Sequence, residues 1–349
     1  MARPAANRDI VVIGASTGGI DALRVLVGDL PEDLPAAMFV VMHVGATSHL
    51  AAILDRASTL PVVKAENGAT IEHGRIYIAV PGKHLLLHDH HILLRRGPRE
   101  NHARPAVDPL FRSAAASFGG RTIGVVLSGA LSDGTAGLRA IKRCNGLAVV
   151  QDPEDANMPE MPQSALRHVD VDQVVPIEAM GALLGKLTRL EAAPSPEIPL
   201  DIRLEAAIAA QELAGMKIDD ALGNPSRFTC PECHGALWEI EDGSLLRYRC
   251  HVGHAFTADA VETAQGEEVD RLLGTLLRAQ QERAGLARRM AEHERQSGRT
   301  SLAEQLARRA ADYDDGARLL KALIRDGEAN GEMLTNTQQQ GASQDEQEA

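Results

Sequence analysis

The feature that most constrains the fold is an alternation of short apolar runs with segments of helical periodicity between Asp9 and Leu190. The apolar runs are too short for helices and are rich in Val and Ile, which is typical of buried parallel strands. They span residues 10–13, 38–42, 76–80, 122–127, 147–150 and 171–175. This alternation predicts an α/β fold with a doubly wound, mostly parallel sheet over residues 1–190.

Residues 83–95 break the alternation. Two runs of three apolar residues flank His88-Asp89-His90-His91, which predicts a β-hairpin. The three histidines also suggest a metal site, but we expect Asp89 and His90 to form the turn and therefore assign no metal there.

The second half of the chain divides by composition. Residues 191–199 contain three prolines and predict a linker. We expect a helical connector at 200–227, a small cysteine-rich module at 228–260, and a hairpin of two amphipathic helices at 261–325. The apolar stripes of these helices indicate a buried seam or a homo-oligomer interface. Residues 326–349 carry six acids and no Lys or Arg, so we expect a disordered acidic tail.

The net charge of −12 has the wrong sign for bulk attraction to nucleic acid or to anionic lipid. No apolar run approaches the roughly 18 residues of a membrane span, and the first residues lack the apolar core of a signal peptide. We therefore expect a cytoplasmic protein that neither binds nucleic acid nor inserts into a membrane.

The sharpest local motif follows the first predicted strand. Gly14-Ala15-Ser16-Thr17-Gly18 matches the G-x-S-x-G nucleophile elbow, in which a tight strand-to-helix turn exposes a serine hydroxyl. The N–H groups near Thr17 and Gly18 are candidates for an oxyanion hole. A glycine-rich turn also suits a dinucleotide-binding dehydrogenase, but no tyrosine of this chain has the lysine four residues on that such enzymes use.

Two further polar residues follow predicted strands. His43 comes directly after the strand at 38–42, and Asp133 comes soon after the strand at 122–127. Because the carboxyl ends of parallel strands share one edge of a sheet, Ser16, His43 and Asp133 form a candidate catalytic triad. Each of them taken singly also fits a structural role: Ser16 or Asp133 as a helix cap, and His43 as a core histidine.

From residue 9 to 190 the chain resembles the catalytic domain of chemotaxis-type protein-glutamate methylesterases. The motifs that carry the resemblance are IGASTGG at 13–19, His43, GRIYIAVPGKH at 74–84, RPAVDPLFRSAA at 104–115, GVVLSG at 124–129 with SDG at 132–134, and AVVQD at 148–152 with MP at 161–162. The resemblance implies a serine hydrolase that removes methyl esters from glutamyl side chains of a chemoreceptor, with a related glutamine deamidase activity and with Ser16, His43 and Asp133 as its triad.

Several positions depart from the family pattern. Met42, Val44 and Gly45 differ around His43, and Ala130 stands where the family has a methionine associated with the oxyanion site. These departures keep open a second interpretation, a scaffold protein that binds receptor helices without turnover. Eight residues precede Asp9, where the resemblance begins, so we do not expect the family's N-terminal receiver domain.

Two other residues of the resemblance fit local structural roles. Asp108 is expected to cap its own helix, with Pro109 at the first helical position. Arg104 is a candidate for orienting an acidic receptor helix, although it is equally compatible with an ordinary surface arginine.

The cysteines form the last pattern. Cys230-Pro-Glu-Cys233 and Cys250 with His254 have nearly the spacing of a zinc ribbon, with a predicted hairpin between them. His251 is an alternative fourth ligand to His254, and His234 a more remote one. A redox Cys-x-x-Cys pair would leave the second Cys/His cluster without a role. We predict a structural zinc and no organic cofactor. Because the linker precedes the module, we expect zinc removal to spare the hydrolysis of a small ester.

Overall fold

The computed structural model describes residues 6–43, 49–211 and 222–345. The chain divides into two compact units, Met1–Glu262 and Thr263–Ala349. No helix in the described part of the chain is both long enough and apolar enough to cross a membrane.

The first unit is built around one parallel sheet. Within the described residues its strands are β1 (Ile10–Ala15), β2 (Ala37–Met42), β3 (Val62–Lys64), β4 (Arg75–Ile78), β7 (Thr122–Val126), β8 (Leu147–Gln151) and β9 (Gln173–Val175). They lie in the order β3-β4-β2-β1-β7-β8-β9, and every pairing between neighbours is parallel. The predicted doubly wound sheet is confirmed; β3, only three residues long, was not predicted.

Helices cover both faces of this sheet. They are α1 (Gly19–Gly28), α2 (Leu50–Asp55), α3 (Val107–Phe118), α4 (Thr135–Arg143), α5 (Glu160–His168) and α6 (Ile177–Leu187). Successive side chains of β1 alternate between two cores. Ile10 and Val12 pack with residues of α3, α4 and α5, whereas Val11 and Ile13 pack with residues of α1, α2 and α6. This two-sided burial explains why the strands are continuous apolar runs.

The interruption at 83–95 is a β-hairpin, as predicted. Strand β5 (His84–His88) pairs antiparallel with β6 (His91–Arg95), and Asp89 in the turn has a φ of 51°. A left-handed conformation of this kind suits Asp in a two-residue hairpin turn.

Beyond the linker, α7 (Leu200–Ala209) precedes an antiparallel sheet of β10 (Asn224–Thr229), β11 (Ala236–Asp242), β12 (Leu245–Cys250) and β13 (Ala255–Thr257). The predicted hairpin between the two cysteine pairs is confirmed as β11 and β12. The helical connector is too long in the prediction, because residues 224–227 belong to β10. Pro225 disfavours a helix there and is tolerated because β10 is an edge strand. Residues 212–221 of the predicted connector lie outside the described residues.

The second unit consists of the part of α8 (Ala258–Gln296) from Thr263 onward and α9 (Thr300–Asp345). Gly298, at φ 77°, separates the two helices, as predicted for a helical hairpin. The buried residues at its seam are mostly alanines: Ala284, Ala287, Ala291, Ala303, Ala310 and Ala317. Small side chains of this kind allow two helix backbones to approach closely.

Helix α9 extends to Asp345 and therefore includes most of the tail predicted to be disordered. Composition was a poor guide here, because residues 326–345 contain no proline and several good helix formers. A segment that extends an existing helix avoids the cost of nucleating one. Residues 346–349 lie outside the described part of the chain.

Candidate active site

The predicted catalytic residues lie at the carboxyl ends of three adjacent strands. Ser16 directly follows β1 and His43 directly follows β2, while Asp133 lies in the loop between β7 and α4. Strand β1 pairs with β2 on one side and with β7 on the other. The chain changes its direction of winding at β1, and ligands of open α/β sheets bind at such a switch point.

The structure brings the three side chains into one hydrogen-bonded chain. His43 Nδ1 lies 3.2 Å from Ser16 Oγ, and His43 Nε2 lies 2.8 Å from Asp133 Oδ2. A neutral imidazole with its proton on Nε2 donates to Asp133 and leaves Nδ1 free to accept the serine proton. This is the arrangement that a serine nucleophile, a base and an orienting carboxylate require.

Asp133 is buried and receives hydrogen bonds from several donors. Its carboxylate accepts the N–H of Val107 at 2.7 Å, the N–H of Asp108 at 3.1 Å and the Asn101 side-chain amide at 3.1 Å. Burial alone would raise the pKa of this carboxyl, but the hydrogen bond and charge of His43, with the two main-chain donors, hold it below its usual range. Asp133 is therefore ionised and suited to orient His43.

Asp108 does not cap its own helix, contrary to the prediction. Helix α3 begins at Val107, and Asp108 Oδ1 instead accepts the N–H groups of Gly134 and Gly137 at the start of α4. Asp133, which precedes α4, accepts the first N–H groups of α3. Asp108, in α3, therefore caps α4, and Asp133, just before α4, caps α3. Local sequence could not reveal this, because a cap contributed by a distant segment leaves no spacing signature.

The two carboxylates also influence each other electrostatically. Burial and the negative charge of Asp133 raise the pKa of Asp108 to about 7. The Asn101 amide lies between them, 3.0 Å from Asp108 Oδ2 and 3.1 Å from Asp133 Oδ1. Of the pair, Asp133 carries the negative charge and Asp108 holds the proton at slightly acidic pH.

The turn after β1 provides candidate donors for an oxyanion. Within the described residues, the main-chain N–H groups of Thr17 and Gly18 donate no main-chain hydrogen bond outside the regular helices and strands. Gly18 adopts a φ of 76°. A Cβ on Gly129 would lie 2.8 Å from Ser16 Cβ, so glycine is required for the close approach of this loop to the nucleophile.

Of the remaining substrate candidates, Arg104 lines a cleft of about 460 Å³ that His43 borders. Arg99, His102 and Arg104 line this cleft. Arg99 and His102 lie 3.4 and 3.2 Å from the Glu232 carboxylate, whereas Arg104 donates to the carbonyl oxygen of Gly97 at 2.8 Å. Ala130 is half-buried and makes no hydrogen bond to the three predicted catalytic side chains. Of the departures beside His43, Met42 is buried, whereas Val44 and Gly45 lie outside the described residues.

The four predicted metal ligands also converge. One donor atom from each of Cys230, Cys233, Cys250 and His254 lies within 4.8 Å of the others. Cys233 Sγ is 3.6 Å from Cys250 Sγ, and His254 Nδ1 is 3.5 Å from Cys250 Sγ. Ligands of a tetrahedral zinc lie roughly 3.5 to 3.8 Å apart, so the set fits this metal. His251 and His234 do not belong to the cluster.

Cys230 and Cys250 of this cluster differ in acidity. The hydrogen bond from Cys230 lowers the pKa of Cys250 and raises that of Cys230. A thiolate is the form of cysteine that binds a metal, so the cluster already favours the ligating state at one sulfur.

The cysteine module packs on the sheet domain through buried ion pairs that sequence reasoning missed. Arg112 of α3 and Arg249 of β12 are each 1% exposed and lie between Glu100 and Glu205. Arg249 Nη2 is 3.3 Å from Glu100 and 2.7 Å from Glu205, while Arg112 contacts both carboxylates and Arg247 contacts Glu205. Although burial opposes ionisation, the three arginines hold the pKa of Glu205 well below its usual range.

Comparison with known proteins agrees with this geometry. The model of the CheB methylesterase family matches residues 11–184. The chain is 38% identical over 184 residues to a putative protein-glutamate methylesterase/protein-glutamine glutaminase of Leptospira interrogans, covering 52% of this chain and 95% of that protein. It is 40% identical to a protein of the same activity name from Anaeromyxobacter dehalogenans, of which it covers 55% and which covers 53% of this chain.

A solved structure is also similar. The CheB methylesterase catalytic domain of Thermotoga maritima superposes with a TM-score of 0.50 at 36% sequence identity, covering 51% of this chain and 98% of that structure. These matches lie in the part of the chain that carries Ser16, His43 and Asp133. The chain therefore belongs to the CheB methylesterase family.

Proposed function

We propose that this protein is a protein-glutamate methylesterase that hydrolyses γ-glutamyl methyl esters of a chemoreceptor-type protein. The observation that carries the proposal is the hydrogen-bonded chain from Ser16 through His43 to Asp133 at three adjacent strand ends. The activity names of the relatives agree with this substrate class.

In the proposed mechanism, His43 Nδ1 takes the proton of Ser16 as Oγ attacks the ester carbonyl. The N–H groups of Thr17 and Gly18 stabilise the oxyanion, and Asp133 stabilises the imidazolium. The methoxide oxygen leaves as methanol with the proton from His43. A water molecule, deprotonated by His43, then releases the glutamate and regenerates Ser16. Glutamine deamidation follows the same steps with ammonia as the leaving group.

The cleft beside His43 supports a protein substrate with acidic character. Arg104 places positive charge on its wall, whereas the charge of Arg99 is paired with Glu232, and receptor helices rich in glutamate would be attracted to Arg104. Ala130, near the nucleophile loop, is proposed to shape the space around the ester. We propose a methylated receptor as the partner rather than nucleic acid, because the net charge of −12 opposes bulk attraction to nucleic acid, and we place this reaction in the cytoplasm.

The metal proposal is a structural zinc at Cys230, Cys233, Cys250 and His254. Three sulfurs and one imidazole nitrogen at tetrahedral separations favour zinc over harder cations. Because protein donors would fill all four positions, this zinc has no open position for catalysis.

Helix α8 supports a further proposal, self-association through the C-terminal hairpin. Val269, Leu272, Leu276, Leu286 and Met290 are each about half exposed and fall on the a and d positions of one heptad register, in which Ala279 and Arg283 occupy the two positions between Leu276 and Leu286. The buried seam of the hairpin uses other residues, so this row is available for a second copy of the chain.

Methanol release from a methylated receptor fragment tests the activity. We expect turnover by the wild type, and a loss on the order of 10⁴-fold in Ser16→Ala and His43→Ala, with a smaller loss in Asp133→Asn, because a triad acts as a unit. Wild-type turnover by Ser16→Ala would refute the mechanism. Tight binding of the fragment without methanol release would favour the scaffold interpretation.

A further inference from the structure

Asn101 links the cysteine module to the carboxylate that orients His43. Its side-chain amide donates to Asp133 Oδ1 at 3.1 Å and to Asp108 Oδ2 at 3.0 Å. Its side-chain oxygen accepts the N–H of Thr257 at 3.2 Å, and its main-chain N–H donates to the carbonyl oxygen of Ala255 at 2.8 Å. Asn101 therefore has polar contacts with both the active site and β13.

The orientation of this amide is determined by its neighbours. Two carboxylates face the nitrogen, and a main-chain N–H faces the oxygen. The reversed orientation would place oxygen against both carboxylates and leave the Thr257 N–H facing a donor. Asn101 also adopts a φ of 47°, a left-handed conformation that asparagine tolerates better than most residues.

A second contact joins β13 to the same active-site loop. Thr257 Oγ1 lies 2.7 Å from the hydroxyl of Ser132, the residue before Asp133, and both side chains are buried. Strand β13 is thus linked to Asp133 in two ways. Thr257 contacts the Asn101 side chain, which donates to Asp133, and it contacts Ser132, which precedes Asp133 in the chain.

Strand β13 is connected to the cysteine cluster through the chain and through its pairing with β12. Ala255, its first residue, directly follows His254, and β13 pairs with β12, whose last residue is Cys250. The carbonyl oxygen of His254 also accepts the N–H of Cys250 at 3.0 Å. A metal bound by Cys250 and His254 would fix both ends of the loop that leads into β13.

We propose that Asn101 is a positioning residue for Asp133, and that metal binding in the cysteine module holds it in place and thereby sustains the esterase rate. This inference rests on the proposed hydrolase mechanism. It reverses the expectation from sequence that zinc removal would spare small-ester hydrolysis, because residues 1–190 and the module meet in one compact unit.

The test is a kinetic cycle with the full chain and p-nitrophenyl acetate. Wild type and Asn101→Ala are each assayed with zinc bound and after removal of zinc by a chelator. We expect a fall in kcat of roughly 10- to 100-fold in Asn101→Ala with KM little changed, as is common for residues that orient a catalytic group. Zinc removal should lower the wild-type kcat similarly and should add little to the effect of Asn101→Ala.

Two measurements separate positioning from loss of structure. The one tryptophan of the chain, Trp238, lies in β11, so its fluorescence reports the module directly, and thermal melting reports the remainder. Ser244→Ala is the matched control: it removes a module contact to His168 at 3.0 Å that does not involve Asp133, and should keep kcat within about twofold.

Several results would overturn the inference. The first is a wild type that binds no zinc, and the second is an unchanged kcat after zinc removal when Trp238 fluorescence has responded. The third is a wild-type kcat in Asn101→Ala. The fourth is a loss of kcat in zinc-free Asn101→Ala that equals the product of the two separate losses. Failure of the proposed function gives a different result: zinc-loaded wild type would neither hydrolyse the ester nor react with a fluorophosphonate at Ser16. The inference would then fall with the function.

Discussion

At the residue scale, the central feature is the unequal pair of carboxylates beside His43. Asp133 receives four hydrogen bonds and stays ionised, whereas burial and Asp133 raise the pKa of Asp108 to about 7. The Asn101 amide lies within hydrogen-bonding distance of both. The same side-chain type therefore holds two protonation states a few ångströms apart, and the difference arises because Asp133 is paired with His43 whereas Asp108 faces the negative charge of Asp133.

The raised pKa of Asp108 predicts a stability that falls as pH rises. Its folded pKa of about 7 exceeds the ordinary value of 3.8, so its contribution is complete below pH 4 and is lost progressively up to about pH 7. Asp108→Asn cannot ionise and should lose this component. Urea unfolding of both proteins at pH 5 and pH 8 measures it, with the wild type expected to lose up to a few kcal/mol more than the variant. An equal loss in both proteins would contradict the assignment.

At the scale of elements, the parts predicted from sequence are those that a clear pattern of apolar residues marks locally. Strands β1, β2 and β7 and the two hairpins could be predicted, because runs of Val and Ile or paired apolar runs mark them locally, and three strand ends then predicted Ser16, His43 and Asp133. The contacts of Asn101, Arg112 and Glu205 could not be predicted, because each depends on how segments distant in sequence pack. No spacing relates a glutamate of α7 to an arginine of α3.

The buried ion pairs between α3, α7 and β12 predict an asymmetric response to mutation. Removing Arg249 would leave Glu100 and Glu205 with fewer cations in a site almost without solvent. Arg249→Met should therefore destabilise the first unit by about 3 to 5 kcal/mol. Urea unfolding measures this. Arg24→Met, which breaks an exposed pair with Asp21, serves as the control and should cost less than about 1 kcal/mol. Similar values for both variants would show that the network contributes no more than surface charges do.

At the scale of the whole molecule, the two compact units differ in how they are stabilised. Residues Met1–Glu262 enclose two apolar cores on the faces of the parallel sheet. The helical hairpin of the second unit buries mainly alanine and leaves large apolar side chains of α8 exposed. A thin seam of this kind provides little hydrophobic stabilisation, which is why an additional helix partner would benefit it.

The exposed row on α8 predicts an oligomer that depends on protein concentration. Leu272→Glu with Leu276→Glu should lower the mass measured by analytical ultracentrifugation, because charges at core positions of a helical seam oppose its association. The matched control is Glu267→Gln with Glu282→Gln, which changes exposed acids of the same helix outside this row. A wild type that remains monomeric at all concentrations would refute self-association through this helix.

The reciprocal capping of α3 and α4 has a consequence for how this enzyme can evolve. Active sites often hold strained or repelling groups, so that replacing a catalytic residue stabilises the fold at the expense of function. Asp133 differs, because its carboxylate satisfies the first N–H groups of α3 as well as orienting His43. Losing it would weaken the fold and the chemistry together. A lineage that abandoned hydrolysis would gain no stability by discarding this aspartate, and an intact Asp133 is therefore poor evidence, taken alone, that an enzyme of this architecture is still active.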